Sequence, residues 1–108
     1  GHRAAGLYTL DAILAAGNPH FFPEHLAEGF RPYRMEEIYL YGSDHSDLVV
    51  NITATFERKI AAIECHRSQV ENLRDLTLQM SHCNQGYGQK NNYAYAEVFK
   101  ILRPFCDT

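Results

Sequence analysis

Leu48-Val49-Val50-Asn51-Ile52-Thr53 runs straight into Ala54-Thr55-Phe56-Glu57-Arg58-Lys59-Ile60-Ala61-Ala62-Ile63, and the two halves keep different periods. Leu48 to Ile52 is short and rich in β-branched residues, and it reads as a strand. In the second half Phe56, Ile60 and Ile63 recur at four and three residues, with Ala54, Ala61 and Ala62 near them, which is helical spacing. Thr53 is placed to cap that helix. Glu57, Arg58, Lys59 and Glu64 read as its solvated face, and the pattern continues to about Gln69.

Further along, Val70, Leu73, Leu76, Met80 and Cys83 form another helical stripe, either joined to the first helix as a kinked rod or separated from it near Ser68-Gln69. The stretch from Asn84 to Asn92 reads as a polar loop carrying Gly86 and Gly88. From Tyr93 to Leu102 the pattern alternates, with Tyr95, Phe99 and Ile101 on one face and Ala94, Ala96, Val98 and Leu102 on the other. This is read as a final strand ended by Pro104, with a helix over 94–102 as the competing reading.

Upstream, residues 3–16 read as a helix with Leu7, Leu10, Ile13 and Leu14 on its stripe, terminated by Gly17-Asn18-Pro19. Residues 18–34 are broken by Pro19, Pro23, Gly29 and Pro32. They read as a packed loop anchored by Phe21, Phe22, Leu26 and Phe30, with one helical turn at 23–28. Glu36 to Tyr41 alternates as a strand with both faces covered, and residues 42–47 form a polar turn. The expected organisation is a single domain over 1–108.

Composition excludes several classes. The chain has 108 residues, 45% hydrophobic and 21% charged, and a net charge of −3. Interleaved charges give no footprint for nucleic acid or an anionic membrane, and no apolar run approaches the ~20 residues of a membrane-spanning helix. Cys65, Cys83 and Cys106 are odd in number and widely spaced, as expected of reduced thiols in a cytoplasmic protein. Cys65 is expected to be buried and structural. Six histidines are present, but none forms a His-x-x-x-His or His-x-His pair. There is no Gly-x-Ser-x-Gly elbow, and Gly86-Tyr87-Gly88 lacks the following helix of a phosphate loop.

Three blocks carry a family resemblance. His2-Arg3-Ala4-Ala5-Gly6 resembles the end of a His-Pro-Asp-His motif running into an Ala/Gly-rich helix. Val50-Asn51-Ile52-Thr53, Lys59-Ile60-Ala61-Ala62 and His66-Arg67-Ser68-Gln69 together form the most specific block. Tyr95-Ala96-Glu97-Val98-Phe99 is the third. They resemble the C-terminal half of the LmbE-like, or PIG-L, family of zinc-dependent N-acetylglucosaminyl deacetylases. The resemblance implies an α/β fold, a partial Rossmann-like sandwich of about three strands and three helices. In that fold the metal lies at the C-terminal ends of parallel strands. It implies His2 as a zinc ligand, an aminosugar-type substrate, and zinc-activated water as the attacking group. Arg34 is the candidate for substrate or oxyanion binding, against an exposed loop arginine, and Tyr95 for the pocket border, against a half-buried strand tyrosine. His66 and Gln69 belong to the signature and can satisfy backbone groups of a neighbouring loop.

The sequence departs from the pattern in ways that bear on activity. Gly1 stands where the family has Asp, and no His-Pro-Asp occurs anywhere in the chain. The motif that supplies the family's other zinc ligands and its general base is therefore missing from this sequence. The expectation is a deacetylase fragment that is inactive alone. The alternative is a non-catalytic module that self-associates as a homo-oligomer through its uncovered apolar surface.

Overall fold

A computed structural model describes residues 1–66 and 71–105. The elements are α1 (His2–Ala16), α2 (Pro23–Ala27), β1 (Ile38–Leu40), β2 (Leu48–Asn51), α3 (Phe56–Glu64), α4 (Leu73–Gln89) and β3 (Ala96–Leu102). The three strands form one sheet in the order β1-β3-β2. The chain gathers into two compact units, Gly1–Tyr39 with the stretch from Ile101 on, and Leu40–Lys100. The mixed α/β class and the three strands agree with the sequence reading.

In the Leu40–Lys100 unit, β2 and β3 pair antiparallel, with Leu48 opposite Phe99 and Asn51 opposite Ala96. This pair therefore has no parallel C-terminal edge of the kind that the family resemblance implies for the metal. The ladder is closed at one end by Thr53. Its hydroxyl donates to Asn51 Oδ1 at 2.7 Å and accepts from the Tyr95 amide at 3.2 Å. Thr53 thus seals a strand end and does not cap the helix. A turn from Ile52 to Thr55 intervenes, and α3 starts at Phe56.

The helical stripes at 56–63 and 73–83 belong to two separate helices. Asn72 caps the second, accepting from the Asp75 amide. The expected loop at 84–92 is corrected in its first half, because α4 continues to Gln89. Two residues make that continuation favourable. Asn84 is buried, and its Nδ2 donates to the Ala96 carbonyl at 3.0 Å. Gly88 lets the returning chain lie against the helix, since a Cβ there would come within 2.6 Å of the Tyr93 carbonyl oxygen. The amides of Asn91 and Tyr93 both donate to the Gly88 carbonyl, and Asn92 takes a left-handed φ of 62° to turn the chain into β3.

In the other unit α1 stands as expected, although none of its residues is buried. The segment at 18–34 contains the single helical turn α2, but its apolar residues are not core anchors: Phe21, Phe22, Leu26 and Phe30 are all exposed. The rings pack on one another instead. His25 stacks on Phe22 with centroids 5.2 Å apart and meets Phe30 edge-on at 6.1 Å. The strand at 38–40 is also less covered than its alternation suggests, since Tyr39 and Tyr41 are exposed. Tyr39 donates from its hydroxyl to Glu37 at 2.8 Å, and that carboxylate holds the phenol above its ordinary pKa.

The two helical glycines of α4 should respond in opposite directions. Gly88→Ala forces Cβ into the Tyr93 and Ala94 backbone and is expected to destabilise the chain by ~2 kcal/mol or more. Gly86→Ala meets nothing within 4 Å and is expected to stabilise by about 0.5–1 kcal/mol through helix propensity. Urea denaturation followed by circular dichroism reads both.

Candidate functional site

A connected polar cluster lies where α3, α4 and β3 meet. Lys59 Nζ donates to Glu97 Oε1 at 2.5 Å and to Asn84 Oδ1 at 2.9 Å. The Lys59 and Glu97 side chains are 27% and 32% exposed, and Asn84 is 4% exposed. All of its buried polar atoms are satisfied, since the Asn84 amide nitrogen is held by Ala96 O. The pairing follows from shared faces. Phe56 and Lys59 are one helical turn apart on one side of α3, and Tyr95, just before β3, and Glu97 are two residues apart and so point to the same side of the strand. Phe56 therefore stacks on Tyr95, with centroids 3.8 Å apart and planes at 4°, while Lys59 reaches Glu97.

Sequence reasoning placed Lys59 on the solvated face, and this is corrected. The signal was present. Phe56, Lys59, Ile60 and Ile63 are spaced i, i+3, i+4 and i+7, the inward stripe of an amphipathic helix. Glu97 likewise falls between Tyr95 and Phe99 on their strand face, and Asn84 follows Met80 by four residues on the stripe of α4.

The residues singled out from sequence are placed as follows. His2 is the first residue of α1 and is exposed. Among the described residues no group of three or more His, Cys, Asp or Glu is arranged to hold a metal. Arg34 is exposed, with its guanidinium carbon 5.2 Å from the Phe105 ring centroid. That ring lies directly on Gly17, where a Cβ would collide with it. Tyr95 is half-buried and spends its ring on Phe56. His66 lies in the turn after α3, its amide donating to Ile63 O at 3.0 Å; Gln69 lies outside the described residues. Cys65 is exposed and not buried, because α3 ends one residue before it. No helix of the described residues is long and apolar enough to cross a membrane.

No family model matches the chain. Among curated proteins it is similar to the diacetylchitobiose deacetylase of Thermococcus kodakarensis, 28% identical over 110 residues, which cover 94% of this chain and 39% of that protein. Among solved structures it resembles the N,N'-diacetylchitobiose deacetylase from Pyrococcus horikoshii complexed with its inhibitor MPG. The TM-score there is 0.83 at 28% identity, covering 94% of this chain and 39% of that one. The chain is thus homologous to diacetylchitobiose deacetylases, and it spans about two fifths of the length of the relatives it matches.

A double-mutant cycle on Lys59→Met and Glu97→Gln is expected to give a coupling energy above the ~0–1 kcal/mol of an exposed ion pair. Tyr95→Phe keeps the stacked ring and should change stability by less than ~0.5 kcal/mol, whereas Tyr95→Ala should cost about 2–4 kcal/mol. Chemical denaturation of the five variants, the Lys59→Met/Glu97→Gln double variant included, checks both statements.

Proposed function

We propose that this chain is part of a zinc-dependent de-N-acetylase that hydrolyses the N-acetyl group of aminosugar conjugates, and that it is inactive by itself. The observation that carries the reading is the fold match to a diacetylchitobiose deacetylase over 94% of the chain. His2, at the mouth of α1, is the residue proposed to ligate zinc. A hydrolytic zinc needs three protein ligands and an open position for water. The described residues offer His2 without two companions arranged around it, so they do not fit a complete centre, and no catalytic step is routed through them. Arg34 and Tyr95 are proposed as residues bordering the substrate in the assembled enzyme.

The test has two arms. The purified chain, given zinc and N,N'-diacetylchitobiose, is expected to release no acetate; metal-dependent release above the uncatalysed rate overturns the inactivity. A chimera joins this chain to the part of the Pyrococcus enzyme that it does not match. It is expected to bind one zinc per chain by elemental analysis, with His2→Ala lowering that stoichiometry. Zinc content unchanged by His2→Ala removes His2 from the site.

A second reading is favoured by the large apolar side chains left in solvent, among them Leu7, Tyr8, Leu14 and Leu78. A chain that exposes so many gains by burying them against another copy, which makes it a self-associating, non-catalytic module. Sedimentation at micromolar concentration decides this: a concentration-dependent oligomer supports the module, and a monomer throughout removes it.

A further inference from the structure

We propose that the hollow beside Arg34, at the C-terminal end of α1, is a binding site for a small organic carboxylate with an apolar tail. The hollow belongs wholly to the unit made of Gly1–Tyr39 and the stretch from Ile101 on. It measures about 410 Å³, with Leu14, Asn18, His20, Phe21, Arg34 and Phe105 on its walls. That volume lies within the ~300–1,000 Å³ range of small-molecule sites.

The lining selects the charge of the ligand. Arg34 is cationic at every working pH, and no Asp or Glu lines the hollow. A guanidinium presents five N–H donors in a planar fork that matches a carboxylate. Arg34 spends none of them on an ion pair or hydrogen bond among the described residues. The adjacent helix end does not draw on them either. The carbonyls of Ile13, Ala15 and Ala16 accept from the amides of Gly17, Asn18 and Tyr33. What holds the guanidinium is the Phe105 ring, 5.2 Å away, which in turn lies on Gly17 where a Cβ would collide with it. A cation–π contact of this kind consumes no N–H donor, so the fork is positioned and still unspent. Asn18 adds a further donor: its Oδ1 accepts from the His20 amide at 2.9 Å, which leaves Nδ2 for a ligand. A cation meets repulsion here, and a neutral molecule leaves the guanidinium without a charged partner. Leu14, Phe21 and Phe105 then supply apolar wall, so an anion with an apolar tail gains area that an inorganic anion cannot use.

The site does not rest on the deacetylase reading and is tested without turnover or zinc. Two-dimensional amide NMR of the full chain is titrated with benzoate, with benzyl alcohol and benzylamine as ring-matched neutral and cationic probes, and with inorganic phosphate as an anion lacking a tail. The expected result is saturable shifts at residues 17–21, 34 and 105 with benzoate, at millimolar affinity, and none with the other three. Arg34→Gln, at an exposed side chain, is expected to weaken benzoate binding on the order of tenfold or more. Arg34→Lys keeps the charge without the fork and should lose part of that affinity. Phe21→Ala, at a side chain 60% exposed, should weaken benzoate severalfold by removing tail contact. No shift with benzoate at tens of millimolar overturns the proposal. So does benzoate binding that Arg34→Gln leaves unchanged, or equal binding of benzyl alcohol, benzylamine or phosphate. A chain that fails here and still yields a zinc-loaded, active chimera would lose this site alone.

Discussion

Lys59, Glu97 and Asn84 form the tie on which the arrangement of α3, α4 and β3 depends. Each of the three comes from a different element, and each would be costly to bury alone. A charged group removed from water without a partner shifts or unfolds. A buried amide with one end unsatisfied costs about 1–3 kcal/mol. Together they leave no buried side-chain nitrogen or oxygen without a partner among the described residues. The arrangement is specific because it works in one register only. Sliding β3 by one residue would turn Glu97 to the opposite face of the sheet, and rotating α3 would take Phe56 off Tyr95.

The same tie explains why α4 is longer than its sequence suggests. Asn84, Gly86 and Gly88 are poor helix formers on intrinsic preference. Tertiary contacts overrule that preference at two points: the Asn84 side chain holding the Ala96 carbonyl, and the close approach of residues 93–94 to Gly88. Both partners lie on the chain returning into β3, five to twelve residues further on. Composition reads such a stretch as a loop because the reason for its helicity is a tertiary contact and not the stretch's own residue types.

Periodicity made other features legible. The strand and helix over 48–63, the stripe of α4 and the alternation of β3 are all visible in the order of residues, as is the end of α1 at Gly17. The inward positions of Lys59 and Glu97 were legible too, but only if periodicity is allowed to outrank residue type. Charge suggested the surface and spacing indicated the interior, and spacing was right. Burial itself was the least legible property. Phe21, Phe22, Phe30, Tyr39 and Tyr41 look like core residues by type, yet among the described residues only Phe56 and Ala96 carry apolar side chains that are buried. A side chain's hydrophobicity states a preference for cover; whether cover exists depends on surfaces that the side chain does not encode.

A fold and a reaction centre place different demands on a sequence, and this chain separates them. A fold needs hydrophobic period, compatible turns and a few satisfied polar ties, and many sequences meet those demands, so a TM-score of 0.83 coexists with 28% identity. A zinc centre needs three ligand atoms converging within about 2 Å of one point; a single missing ligand abolishes it while leaving the fold untouched. His2 lies exposed on the first turn of α1, and the described residues bring no ligand set around it. The architecture therefore carries over to this chain on its own terms, whereas chemistry is decided by the residues of a site and not by the fold.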